Sequence, residues 1–189
     1  MKSLNRIGSR PVSLPLSADD IVEFHAARLL LLLNVCGVSG RIDGLTKMAK
    51  LDFFVRYPGF FEVARASTAP ADAANVSSIK PDGAVESAMV RHHYGPWDKR
   101  YYHVLSHLEA KQLITVVKQG KSYRIALTDL GRKSAEALKT RPSFAPITET
   151  MREVKKVFGA KNGTFLKNLI YRLFDAEITR HPRGKVIER

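Results

Sequence analysis

Apolar positions along the chain change their spacing several times, and each change marks an element. They crowd between Ala18 and Val35 until Arg28-Leu-Leu-Leu-Leu-Leu-Asn34 is apolar on every side of a helix. Such a helix needs cover on more than one side, as the central helix of a domain or as part of a dimer interface. Ser17 reads as its N-cap, with Asp19 and Asp20 in the first turn, and it should stop near Gly37. Gly40–Gly44 reads as a turn. Leu45, Met48, Ala49 and Leu51 recur at helical spacing and predict a second helix to Val55, which Pro58-Gly59 interrupts. A short helical piece, Phe60–Arg65, follows. Residues 66–85, rich in Ala, Ser, Pro, Asp and Gly, read as a surface loop inserted in the domain, with a disordered linker as the alternative.

The second half is punctuated more sharply. Ala84–His93 reads as a short strand and Tyr94-Gly-Pro-Trp97 as a turn. Asp98 then serves as N-cap for a helix over Lys99–Leu113. Ile114–Lys118 and Ser122–Leu127 flank Gln119-Gly-Lys121 as strand, tight turn and strand. Thr128 caps a helix over Asp129–Lys139, and Pro142 and Pro146 mark a connector. Two further helices are predicted near Thr148–Phe158 and Thr164–Ile178, before a basic tail. The expected organisation is a flexible arm (1–17), one domain (18–140) and a C-terminal helical extension (141–189). The fold class is mainly α with a small β-hairpin, that is, α+β.

Charge adds a partner. Lysine and arginine total 31 against 18 aspartates and glutamates, a net charge of +13. That excess predicts a polyanion, with nucleic acid ahead of an anionic membrane surface. Most of it, +10, falls on residues 118–189, and +6 lies beyond residue 140. The single cysteine, Cys36, sits between Val35 and Val38, as a buried thiol in a reducing cytoplasm would. The longest apolar run, Leu29–Val35, is too short to span a bilayer, so no membrane partner is expected. Met1–Pro15 lacks the apolar centre of a signal peptide.

Catalytic patterns are missing from the sequence. It contains no phosphate loop, no Gly-x-Ser-x-Gly and no His-Glu-x-x-His. Cys36 has no activating base nearby, so the expectation is a non-enzyme without a cofactor. His103 and His107, four apart on a helix with His92 and His93 upstream, have zinc-like spacing. Surrounding lysines and arginines disfavour a cation, and no carboxylate or cysteine completes a site, so no metal is expected.

The order from Asp98 to Leu138 resembles the winged helix-turn-helix of MarR-like and PadR-like bacterial regulators. Tyr102, Leu105, Leu108, Glu109, Leu113 and Ile114 match the helix and its exit, and Leu127, Thr128 and Gly131 match the segment after the wing. Gln112 stands where that pattern has glycine, which puts the turn in doubt. Stepping 100° per residue puts Tyr101, Val104, Leu105 and Leu108 on a core face. Lys99, Arg100, His103, His107 and Lys111 fall opposite, where a recognition helix meets the major groove. Lys118, Lys121 and Arg124 on the wing are placed for phosphates. The alternative is an ordinary solvated face.

Phe165, Leu166, Leu169, Ile170 and Leu173 form an apolar stripe on the last helix. Packing onto the all-apolar first helix is the plain expectation, and a docking surface shared with Leu30 and Leu33 is the sharper one. Three blocks then carry a second resemblance: Gly40–Pro58, Tyr94–Tyr102, and Gly163–Tyr171 with Phe174. Together they resemble the middle components of three-component, Lamassu-like antiphage systems. The resemblance implies an SMC-like ABC ATPase partner, a nuclease-type effector subunit and an accessory winged-helix role on DNA. A homodimeric transcriptional regulator binding operator DNA is the alternative.

Overall fold

Helix α1 (Val22–Cys36) is the centre of the molecule, because a segment apolar on all sides can only be satisfied by cover on all sides. The computed structural model describes residues 21–68, 90–92 and 95–179, and in it every residue from His25 to Leu33 is buried. Ile21 holds the N-cap position of α1 without a side-chain cap. The expected cap Ser17, with Asp19, Asp20 and the arm 1–17, lies outside the described residues, as does most of the 66–85 loop.

Strand β1 (Arg41–Asp43) follows, then α2 (Leu45–Arg56) and α3 (Pro58–Thr68). Gly40–Gly44 is therefore more than a turn. Its polar-apolar-polar centre drops Ile42 into the core and pairs with a later strand. Strands β2 (Val90–His92) and β3 (Gly95–Trp97) form an antiparallel hairpin, so the expected turn at Tyr94–Trp97 is partly strand. A two-stranded ribbon has only edges, which is where Pro96 is tolerated. Helix α4 (Tyr101–Ala110) leads into β4 (Ile114–Gln119) and β5 (Ser122–Leu127), with Gly120 at φ 57° in their two-residue turn. Then come α5 (Asp129–Lys139), a 3-10 turn at Pro142–Phe144, α6 (Ala145–Phe158) and α7 (Gly163–Thr179). The described residues are thus mainly helical with a small three-stranded antiparallel sheet, in the order β1-β5-β4.

Helices α4, α5 and α6 cover α1. The last helix does not. Helix α7 packs on α2, with β3 and α3 alongside, which corrects the expectation that its stripe closes over α1. Phenylalanines knit this second layer. Phe54 stacks on Phe158 at 4.7 Å, and Phe60 meets Phe174 edge-on at 4.7 Å. Helices α6 and α7 place Met151, Val154, Phe158, Leu166, Leu169 and Ile170 in the same hydrophobic core as α1.

Enclosure by α1, α3, α6, α7 and the sheet buries α2 on every side from Met48 to Arg56. Its charged residues must then be paired inside. Asp52 accepts from Arg28 Nε at 3.0 Å and from the Tyr101 hydroxyl at 2.7 Å. Arg56 pairs with Asp98 at 2.9 Å. The ring nitrogens of His25 lie 3.0 Å and 2.9 Å from guanidinium nitrogens of Arg28 and Arg100. One polar network therefore ties α1, α2 and the start of α4 together.

Candidate nucleic-acid interface

Helix α4 and its flanking turns carry five of the residues expected to meet DNA, and the two ends of the helix decide which of them the chain engages itself. At the N-terminus the Asp98 carboxylate accepts the Arg100 amide at 2.9 Å, so residues 98–100 form a capping turn and the helix proper starts at Tyr101. A helical wheel does not apply to that turn. Arg100 consequently folds back onto Asp98, donating from Nε at 2.9 Å and from a terminal nitrogen at 2.8 Å, and contacts His25. It is a structural arginine, which corrects its placement on the groove face. Burial opposes ionisation of Asp98, yet the Arg100 hydrogen bonds and the Arg56 charge hold its carboxyl well below the usual range.

At the C-terminus Gln112 adopts φ 57°, the conformation glycine would supply. Its amide bonds to Glu109 O at 2.8 Å and the Leu113 amide to Leu108 O at 2.9 Å, the two bonds of a Schellman cap. The glutamine thus leaves the turn intact at the cost of strain. Glu109 accepts the Val116 amide at 3.0 Å and fixes the hairpin to the helix.

The expected face of α4 divides. Lys99, His103 and Lys111 are exposed and His107 is half-buried, and His107 and Lys111 also line a groove of about 410 Å³ against α1 and α5. The core face is as expected, with Tyr101, Val104, Leu105 and Leu108 buried. On the hairpin Lys118 and Lys121 are exposed, while Arg124 pairs with Asp43 at 3.2 Å on the neighbouring strand. Tyr102, which matches the first position of the regulator pattern, is 59% exposed. Its neighbour Tyr101 takes the buried place, which the 100° step alone foretold.

Tyr102 faces a cleft of about 380 Å³ that no motif announced. The cleft lies between the hairpin turn and the start of β5 (Lys121, Ser122, Tyr123), the first turn of α2 (Leu45, Thr46, Lys47) and the first two turns of α7 (Gly163, Thr164, Lys167). Trp97 forms its wall, 5.9 Å from the Tyr102 ring. Gly163 is required by close approach, since a Cβ there would stand 2.8 Å from the Lys47 amide nitrogen. Lys47 donates to the Gly159 carbonyl at 2.8 Å, and burial lowers its pKa. Behind the cleft Lys50 is buried, and burial with the nearby Lys167 charge lowers its pKa to about 7. The three sequence blocks on which the second resemblance rests all contribute to this wall.

Of the residues expected to dock partners, Leu30, Leu33, Leu166, Leu169 and Ile170 are buried within the chain. They are core, because α4–α6 cover α1 and α2 covers α7. Phe165 (38% exposed) and the half-buried Leu173 remain at the surface. No helix among the described residues is long and apolar enough to cross a membrane. No protein-family model, curated protein or solved structure matches the chain.

Proposed function

We propose that the chain is a winged-helix, DNA-contacting accessory subunit of an SMC-like ATPase antiphage complex, without catalytic activity of its own, working in the cytoplasm. The observation that carries the DNA part is topological. A helix, a short strand, two helices, the β2–β3 ribbon, α4 and the β4–β5 hairpin, with the larger sheet in the order β1-β5-β4, support reading the fold as a winged helix with an inserted ribbon and α4 as its recognition helix. Lys99 in the turn before α4, His103 on α4, and Lys118 and Lys121 on and beside the hairpin turn are exposed. They supply the phosphate contacts, and Arg100 contributes by holding the helix start.

The assignment to a defence complex rests on the three sequence blocks. Support for reading them as one unit is that they meet in space. Arg56 of the first pairs with Asp98 of the second, and Gly163 of the third abuts Lys47 of the first. The ATPase and effector subunits then engage the remaining surface of α7 at Phe165 and Leu173. The energy comes from the ATPase.

Two measurements test this. Duplex affinity of the chain should fall steeply with salt, and Lys99→Glu with Lys118→Glu should weaken it and flatten the salt dependence. Co-expression with an SMC-like ATPase encoded beside it should yield a stable complex, weakened by Phe165→Asp. A nanomolar homodimer complex with a single operator and no binding to the ATPase would replace the proposal with a free-standing regulator.

A further inference from the structure

We propose that the cleft beside Tyr102 is a receptor for a single phosphorylated nucleoside unit, sharing Lys121 with the proposed duplex-contacting surface and otherwise distinct from Lys99, His103 and Lys118. Its size, about 380 Å³, falls within the roughly 300–1,000 Å³ of small-molecule sites. Its chemistry is mixed in the way a nucleotide requires. Tyr102 and Tyr123, 59% and 39% exposed, are among the few large apolar side chains left in solvent among the described residues, and both line this one cleft. Tyr102 is backed by the buried Trp97 and stands as a braced platform on which a base stacks.

The cleft also carries positive charge. Lys121 from the hairpin and Lys167 from α7 flank it, and the hydroxyls of Thr46, Ser122 and Thr164 lie along it. Asp43 also lines the cleft, but it is paired with Arg41 at 3.3 Å and with Arg124 at 3.2 Å, which offsets its repulsion. The base lies on Tyr102 and the phosphate reaches Lys121 and Lys167.

A free nucleotide and an unpaired nucleotide within a strand share this chemistry. The experiment titrates the full-length chain with thymidine monophosphate, with a short oligo(dT) and with inorganic phosphate, following calorimetry and the emission of the single tryptophan, Trp97. Saturable binding of the nucleotide or the oligonucleotide, with a change in Trp97 emission, is expected. Binding of both indicates any nucleoside phosphate as ligand, and binding of the oligonucleotide alone indicates a strand. Tyr102→Ala should weaken binding about tenfold or more, and Tyr102→Phe should restore it. Lys167→Ala should weaken it about fivefold or more while leaving the duplex affinity set by Lys99 and Lys118 unchanged. Thermal melts of each variant control for folding. Absence of binding by both thymidine ligands overturns the proposal. So does phosphate binding as tightly as the nucleotide, or oligonucleotide binding indifferent to both Tyr102→Ala and Lys167→Ala. None of these outcomes depends on whether the chain binds duplex DNA.

Discussion

The Thr128 hydroxyl donates to the Gln112 carbonyl at 2.7 Å and accepts the Gly131 amide at 3.0 Å, so one side chain joins the end of α4 to the start of α5. Thr128→Val keeps the shape and loses both bonds. It should cost about 1–2 kcal/mol in urea unfolding, with Thr128→Ser near wild type. Gln112→Gly should act in the opposite direction. Left-handed backbone costs a side-chain-bearing residue about 1–2 kcal/mol, and glycine's greater chain entropy returns part of that. A net gain of about 0.5–1 kcal/mol is expected.

The Arg28–Asp52 pair is buried with side-chain exposures of 1% and 0%, and Tyr101 completes it. Asp52→Leu alone strands a guanidinium in the core and should cost about 3–5 kcal/mol. Arg28→Met with Asp52→Leu should cost much less than the sum of the singles. A double-mutant cycle by chemical denaturation checks this, and additive losses would mean that the two residues are not coupled.

Two groups set opposite pH trends. Lys50 has a folded pKa of about 7, below its unfolded value, so between pH 7 and about 10.5 the unfolded chain binds the extra proton. Its burial penalty is full below pH 7 and is relieved as pH rises through that window. Stability should therefore climb there by at most about 1.4 kcal/mol per pH unit, and Lys50→Met should flatten the climb. Asp98 has a lowered folded pKa, so its contribution is present above its ordinary range near 4 and lost as pH falls below it. Unfolding measured from pH 2 to 10 should show both limbs.

Arg100 and Lys118 should separate by phenotype. Arg100→Ala removes the bonds to Asp98 and should lower the melting temperature. Lys118→Glu should leave melting unchanged and reduce the salt slope of duplex binding by about one phosphate contact.

Cys36 donates its thiol to the Met151 carbonyl at 3.3 Å, and burial pushes its pKa up to about 12. It should resist alkylation in the native state and react only in denaturant. Labelling of the folded chain at the rate of a free thiol would contradict this placement.

How much of this was legible depends on range. Helix α5 runs from Asp129 to Lys139 with Thr128 as its cap, as its sequence indicates, because cap, periodicity and stop signal all lie within one segment. The hairpin turn is equally local. The cleft was not legible. Its walls come from residues near 45, 97, 102, 122 and 164, and none carries a motif that names the others. Exposure of Tyr102 was the one available signal, through its 100° offset from the buried Tyr101.

Local pattern determined the helices and the β4–β5 hairpin, since hydrogen bonding within a helix or across a two-residue turn involves near neighbours, but not the strands β1 and β3, which read as turns because their partners lie elsewhere in the chain. It also determined that α1 would be enclosed, because seven consecutive apolar or non-ionic positions from Leu29 to Val35 have nowhere else to go. Tertiary structure alone decided which helix covers which, placing α7 on α2 rather than on α1. It also decided the fate of the charges. Nothing local marks Lys50, Asp52 and Arg56 for burial, and Arg100 reads as groove-facing, until α2 is surrounded and Arg28, Asp52, Arg56, Asp98 and Arg100 are brought together. Whether a charged side chain stays in water depends on the distant segments that displace the water and on the partners they bring, and periodicity along one segment carries no record of either.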